Sequence, residues 1–111
     1  MKFALTALAA ALTLSSPFAF AGDAGSTAIE ALGKVNGIAL ACQQPAIASR
    51  ARNALVSGAP KTRANGETFE NATNAAYLDQ GKGAPCPDAA TLSSQLDAAE
   101  KGLQSAFPTS R

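Results

Sequence analysis

Cys42 and Cys86 are the side chains in this sequence best suited to covalent chemistry. They do not form a C-x-x-C pair, so a redox-active dithiol of the usual spacing is not expected. The chain has no His, which rules out Ser–His–Asp and Cys–His sets, c-type haem attachment and most zinc sites. In an oxidising compartment an even pair of cysteines reads as one disulfide, Cys42–Cys86. Closing a loop of that length contributes about 4 kcal/mol in the chain-entropy account.

The remaining candidates for chemistry are weaker. Glu67 and Glu70 lie one turn apart on a predicted helix and can face the same way for acid–base work. Their simpler role is to match the dipole of a helix start. Phe69 and Tyr77 are eight residues apart and share nearly one face. They suit an aromatic ligand contact, or more simply the core, with the Tyr77 hydroxyl at a wet edge. A Ser–Lys pair lacks its S-x-x-K motif. Gly81-x-Gly83 lacks the strand-then-helix setting and Lys-Ser/Thr step of a phosphate loop. Carboxylates do not cluster in a short loop as a calcium site needs. Asn71-Ala72-Thr73 matches a glycosylation acceptor but falls inside a predicted helix and reads as chance. These observations predict no enzyme, no cofactor and no metal site.

Charge offers one asymmetry. Arg50, Arg52, Lys61 and Arg63 follow one another, and no acid occurs between Glu30 and Glu67. The plain reading is a solvated helix face followed by a loop. The functional reading is a contact patch for an acidic partner or anionic lipid, because clustered charge raises encounter rates. Arg50 and Arg52 are two residues apart and do not share a helix face, which weakens a patch. Asp97 and Lys101 are spaced for an i,i+4 ion pair worth about 0.3 kcal/mol.

The elements that must position these residues are helical. Ser26 or Thr27 can cap a first helix running to about Cys42, with Glu30 placed to complete a capping box with Thr27. Ile29, Leu32, Val35, Ala39 and Cys42 make one face. Gly33, Gly37 and Ala41 make a smooth second face and predict close packing of another backbone within the monomer. Pro45 opens a second helix reaching Ser57, with Ile47, Ala51, Ala54 and Leu55 inward and Gly58 as its stop. A third spans Thr62 to Gln80, or begins near Gly66, and buries a stripe of Phe69, Ala72, Thr73, Ala76 and Tyr77. Gly81 to Pro85 reads as a loop. Cys86, Pro87 and Asp88 open a fourth helix, whose stripe is Leu92, Leu96, Ala99, Leu103 and Phe107. Pro108 ends it, and Thr109 to Arg111 reads as a frayed tail. The predicted fold is all-α: a small bundle or orthogonal array of about four short helices, stapled by one disulfide.

The first 21 residues read separately. Lys2 gives a positive start, Phe3 to Leu14 are almost all apolar, Ser15, Ser16 and Pro17 break the run, and Ala19-Phe20-Ala21 supplies small residues before a cut. This is the pattern of a secretory signal peptide cleaved between Ala21 and Gly22. The apolar run is too short for the roughly 20 residues of a spanning helix, so no lasting membrane anchor is expected. No Cys follows the cut, so a lipoprotein is not expected. Residues 22–111 then form a single helical domain in the periplasm or a secreted state.

Of those 90 residues, only 14 are Leu, Ile, Val or Phe, while 20 are Ala. That predicts a thin, Ala-rich core that needs its staple. Without Lys2 the eight basic residues balance the eight acidic ones, which disfavours a nucleic-acid binder. What remains is a small exported protein acting by protein binding, as an accessory or inhibitor-type factor. Its expected partner is another exported protein, with Arg50, Arg52, Lys61 and Arg63 as the contact candidates. The alternative is a periplasmic stress chaperone that exposes apolar surface on partial unfolding. The lack of His disfavours a switch near pH 6, whereas the carboxylates allow one at lower pH.

Overall fold

The structure, a computed structural model, describes residues 17–108. The apolar run Phe3–Leu14 of the expected leader and the tail Thr109–Arg111 lie outside the described residues. Among the described residues there are four helices: α1 (Pro17–Ala41), α2 (Pro45–Gly58), α3 (Arg63–Gln80) and α4 (Ala89–Ala106). The expected all-α fold and its disulfide are present.

The predicted stripes build the core. Ile29, Leu32, Val35 and Ala39 of α1, Ala51 of α2, Phe69 of α3, and Leu92, Leu96, Ala99 and Leu103 of α4 are all buried. Ile47, Ala54, Leu55 and Phe107 close its margins as partly buried side chains. Ala48, absent from the predicted stripe, is buried as well. α1 is the hub: it packs against α2, α3 and α4, and α2 also packs on α4.

Three contacts give the directions. Cβ atoms placed at Gly33 and Gly37 would meet Phe69–Ala72 and Thr73–Ala76 in turn, so α1 and α3 run parallel. A Cβ at Gly25, in the first half of α1, would meet the Phe107 ring beyond α4, and Cys42 after its last turn meets Cys86 before α4, so these two run antiparallel. Gln44 donates to the Pro87 carbonyl at 3.1 Å, and Arg50 reaches Asp97, so α2 runs alongside α4 in the same direction.

The glycine face of α1 does what its spacing predicts. A methyl group at Gly33 would sit 2.7 Å from the Phe69 carbonyl oxygen, and one at Gly37 would collide with the Thr73 carbonyl. The backbones meet there because α1 presents glycines opposite the small Ala72 and Ala76 of α3. Gly58 departs from expectation. It is still helical, and a methyl there would lie 2.6 Å from Leu103 Cδ2, so its smallness admits α4 rather than stopping α2.

Helix ends supply the other corrections. α1 is already helical upstream of Thr27, so the amides expected to need a Thr27–Glu30 capping box have intrahelical acceptors. Thr62 caps α3, its side chain accepting from the Asn65 amide at 3.1 Å. The helix therefore does not begin near Gly66, and Glu67 and Glu70 lie beyond its first turn. α4 starts at Ala89, because the Asp88 carboxylate caps it from an extended backbone and takes the Thr91 amide at 2.8 Å. Cys86 and Pro87 thus precede the helix. At the end of α1, Gln43 adopts a left-handed φ of 59°. The amides of Gln43 and Gln44 bond back to Leu40 and Ala39, which makes a Schellman cap on a residue that is not Gly.

Candidate binding surface

The two cysteines meet as expected. Cys42 and Cys86 form a disulfide with Cα atoms 5.7 Å apart, tying the end of α1 to the loop before α4. Cys42 is half-buried and Cys86 exposed. Gln80 organises the same loop: its amide donates to the carbonyls of Ala84 at 2.9 Å and Pro85 at 3.0 Å. Gly83, at φ 107°, takes the one backbone position there that requires a glycine.

The four basic candidates are not held as one group. Arg50 turns toward α4 and bridges Asp97 at 2.8 Å and Glu100 at 2.9 Å. Hydrogen bonds to those two carboxylates, Asp97 first, raise its already high pKa and keep its charge engaged within the fold. Asp97 is therefore bridged across helices by Arg50, not along its own helix by Lys101. Arg52 turns toward α1, where it donates to Asn36 Oδ1 at 3.4 Å. Lys61 and Arg63 are exposed around the link between α2 and α3. The acids that neutralise Arg50 come from α4, so the one-dimensional gap between Glu30 and Glu67 says little about the local charge.

Glu67 and Glu70 are exposed. A groove of about 640 Å³ lies between α1 and α3 and includes Glu30, Lys34, Asn71 and Asp79. It is open and mixed in charge, and neither Glu67, Glu70 nor Tyr77 lines it. Among the described residues no group of three or more His, Cys, Asp or Glu side chains could hold a metal ion. No described helix is long and apolar enough to cross a membrane.

A different group emerges from packing. Tyr77, expected in the core, is 49% exposed, and Leu78 and Leu40 are also exposed. Asn36 and Thr73 touch across the α1–α3 seam, and Leu40 and Tyr77 lie one turn further along each helix. Because the helices run parallel, the seam ends in Leu40 and Tyr77, close in sequence to the disulfide, while Leu78 lies on the outer face of α3. The cause is the architecture: among the described residues α3 packs on α1 and on no other helix, so a ring near the end of α1 has cover on one side only. Helical periodicity identifies Tyr77 as sharing a face with Phe69, but it carries no information about where the partner helix stops.

In comparisons with known proteins, no family model, no curated protein and no solved structure matches this chain.

Proposed function

We propose that this is a small exported helical protein that acts in the periplasm, or as a secreted factor, by binding another protein. It works as an accessory or inhibitor-type factor and has no catalytic site. The observation that carries this reading is the exposed pair Leu40 and Tyr77 at the end of the α1–α3 seam. Tyrosine is favoured at binding hot spots because its ring contributes large contact area with few torsions to order. Export is supported by the leader pattern of the first 21 residues and by the disulfide.

In-cell cross-linking of the tagged, exported protein, followed by mass spectrometry, tests this reading. One stoichiometric partner is expected, cross-linked through the Tyr77 region. The double variant Leu40→Ser, Tyr77→Ala should lose that partner while keeping its helicity. Undiminished capture rejects this surface. Charge reversal at Arg52 and Lys61 tests the basic candidates in the same assay. The captured protein should begin at Gly22, and a chain retaining Met1 would reject export by cleavage.

One observation favours the stress-chaperone alternative. α3 has only two buried residues, Phe69 and Thr73, so little apolar burial holds it in place. Dye binding that stays flat between neutral pH and about pH 3 would reject an acid-triggered version of it.

A further inference from the structure

Among the described residues α3 has a single helix neighbour. It packs on α1 and on neither α2 nor α4. Its contact sets Gly33 and Gly37 against Ala72 and Ala76, with Phe69 as its one buried apolar side chain and the Asn36–Thr73 and Thr73–Gly33 hydrogen bonds beside it. Among its own residues Asn65, Gly66, Thr68, Asn71, Thr73 and Asn74 are poor helix formers. Gly66 has open space beside it, so no close approach compensates its cost. The ion pairs among the described residues join α2 to α4, and none involves α3. Both ends of α3 are nevertheless anchored, by a short link from α2 and by the loop that the disulfide and the Gln44–Pro87 bond hold against the end of α1.

We infer that α3 detaches from α1 and unravels as one cooperative unit while α1, α2 and α4 stay folded. In that state the core is Ile29, Leu32 and Val35 of α1 with Leu92, Leu96 and Leu103 of α4, all buried in the closed fold. Opening uncovers Phe69 and the glycine face of α1, and the disulfide keeps the freed segment beside its dock. In the chaperone reading, this is the surface a client meets. The opening itself does not rest on that reading.

Hydrogen exchange of the intact, oxidised protein tests it. The amides of α3 should exchange through a shared opening at least about tenfold more populated than the one that exposes α4. Gly66→Ala strengthens the helix without touching α1 and should slow α3 exchange about fivefold, leaving α4 unchanged. Gly33→Ala pushes α3 away and should speed its exchange about tenfold. A common level of protection for α3 and α4 overturns the inference, as does a Gly66→Ala effect spread equally over all four helices. Should Gly33→Ala fail to fold, the wild type and Gly66→Ala decide the matter. Client capture is scored separately: an α3 that opens without binding clients supports the opening and rejects the chaperone reading.

Discussion

The Asn36 side-chain amide donates to the Thr73 hydroxyl at 3.1 Å, and both residues are buried. Thr73 in turn donates to the Gly33 carbonyl at 3.2 Å, while Arg52 donates to Asn36 Oδ1. A polar chain thus crosses from α2 through α1 to α3, in the one part of the interface where glycine brings the backbones together. Only one register of α3 against α1 satisfies these groups, and a buried polar group left unpaired is costly.

Thr73→Val therefore tests the register. It keeps the side-chain shape and removes the hydroxyl, leaving the Asn36 amide without this acceptor. A loss of about 1–3 kcal/mol in urea unfolding is expected. Asn36→Leu with Thr73→Val should cost less than the sum of the single changes, because neither group is then left unpaired.

Gly37→Ala should cost about 1–3 kcal/mol, since the added methyl meets the Thr73 backbone, which cannot turn aside as a side chain would. Gly102→Ala, on a face of α4 with open space, should stabilise by about 1 kcal/mol. Melting temperatures of the two variants should move in opposite directions.

Replacing both cysteines with Ser should lower stability by about 4 kcal/mol, the chain-entropy value for a separation of 44 residues. For so thin a core this is a large share of the total. The same loss should follow reduction of the wild type, read by circular dichroism with and without reductant.

Gln43→Gly should stabilise by about 1 kcal/mol, because Gln43 holds the left-handed cap position at the end of α1, where a side chain is disfavoured. An unchanged or lowered unfolding midpoint would show that the Gln43 side chain contributes something its backbone does not.

Asp88 gives a pH signature. Hydrogen bonds from the Thr91 backbone, then its side chain, hold the carboxylate below its ordinary pKa of 3.8. A depressed acid contributes stability that is present above its unfolded pKa and lost as pH falls through the folded one. The cap should be intact at neutral pH and weaken only below pH 3.8. Asp88→Asn keeps a capping oxygen without the titration, so the melting difference between the two proteins should shrink in that acid range.

Local signals marked the four helices because each carries an apolar stripe or a breaker. Leu92 through Leu103 read directly as core, Pro45 as a helix start, and Gly33 with Gly37 as a close contact. The cysteine pair was legible because it is the only pair. Arg50 was not legible as a bridge to Asp97 and Glu100, since ion pairing across helices depends on which faces meet. Nor was Gly58 legible as the seat of Leu103, because a glycine just before Pro60 looks like a stop.

By itself, then, the sequence determined what depends on neighbours along the chain: helical periodicity, the caps available to each end, the absence of histidine chemistry and the single possible disulfide. Tertiary structure decided the parallel pairing of α3 with α1, the engagement of Arg50 and the exposure of Tyr77. These depend on where helices end and which of them share a seam. Such quantities arise from packing residues far apart in the chain, and no local pattern carries them.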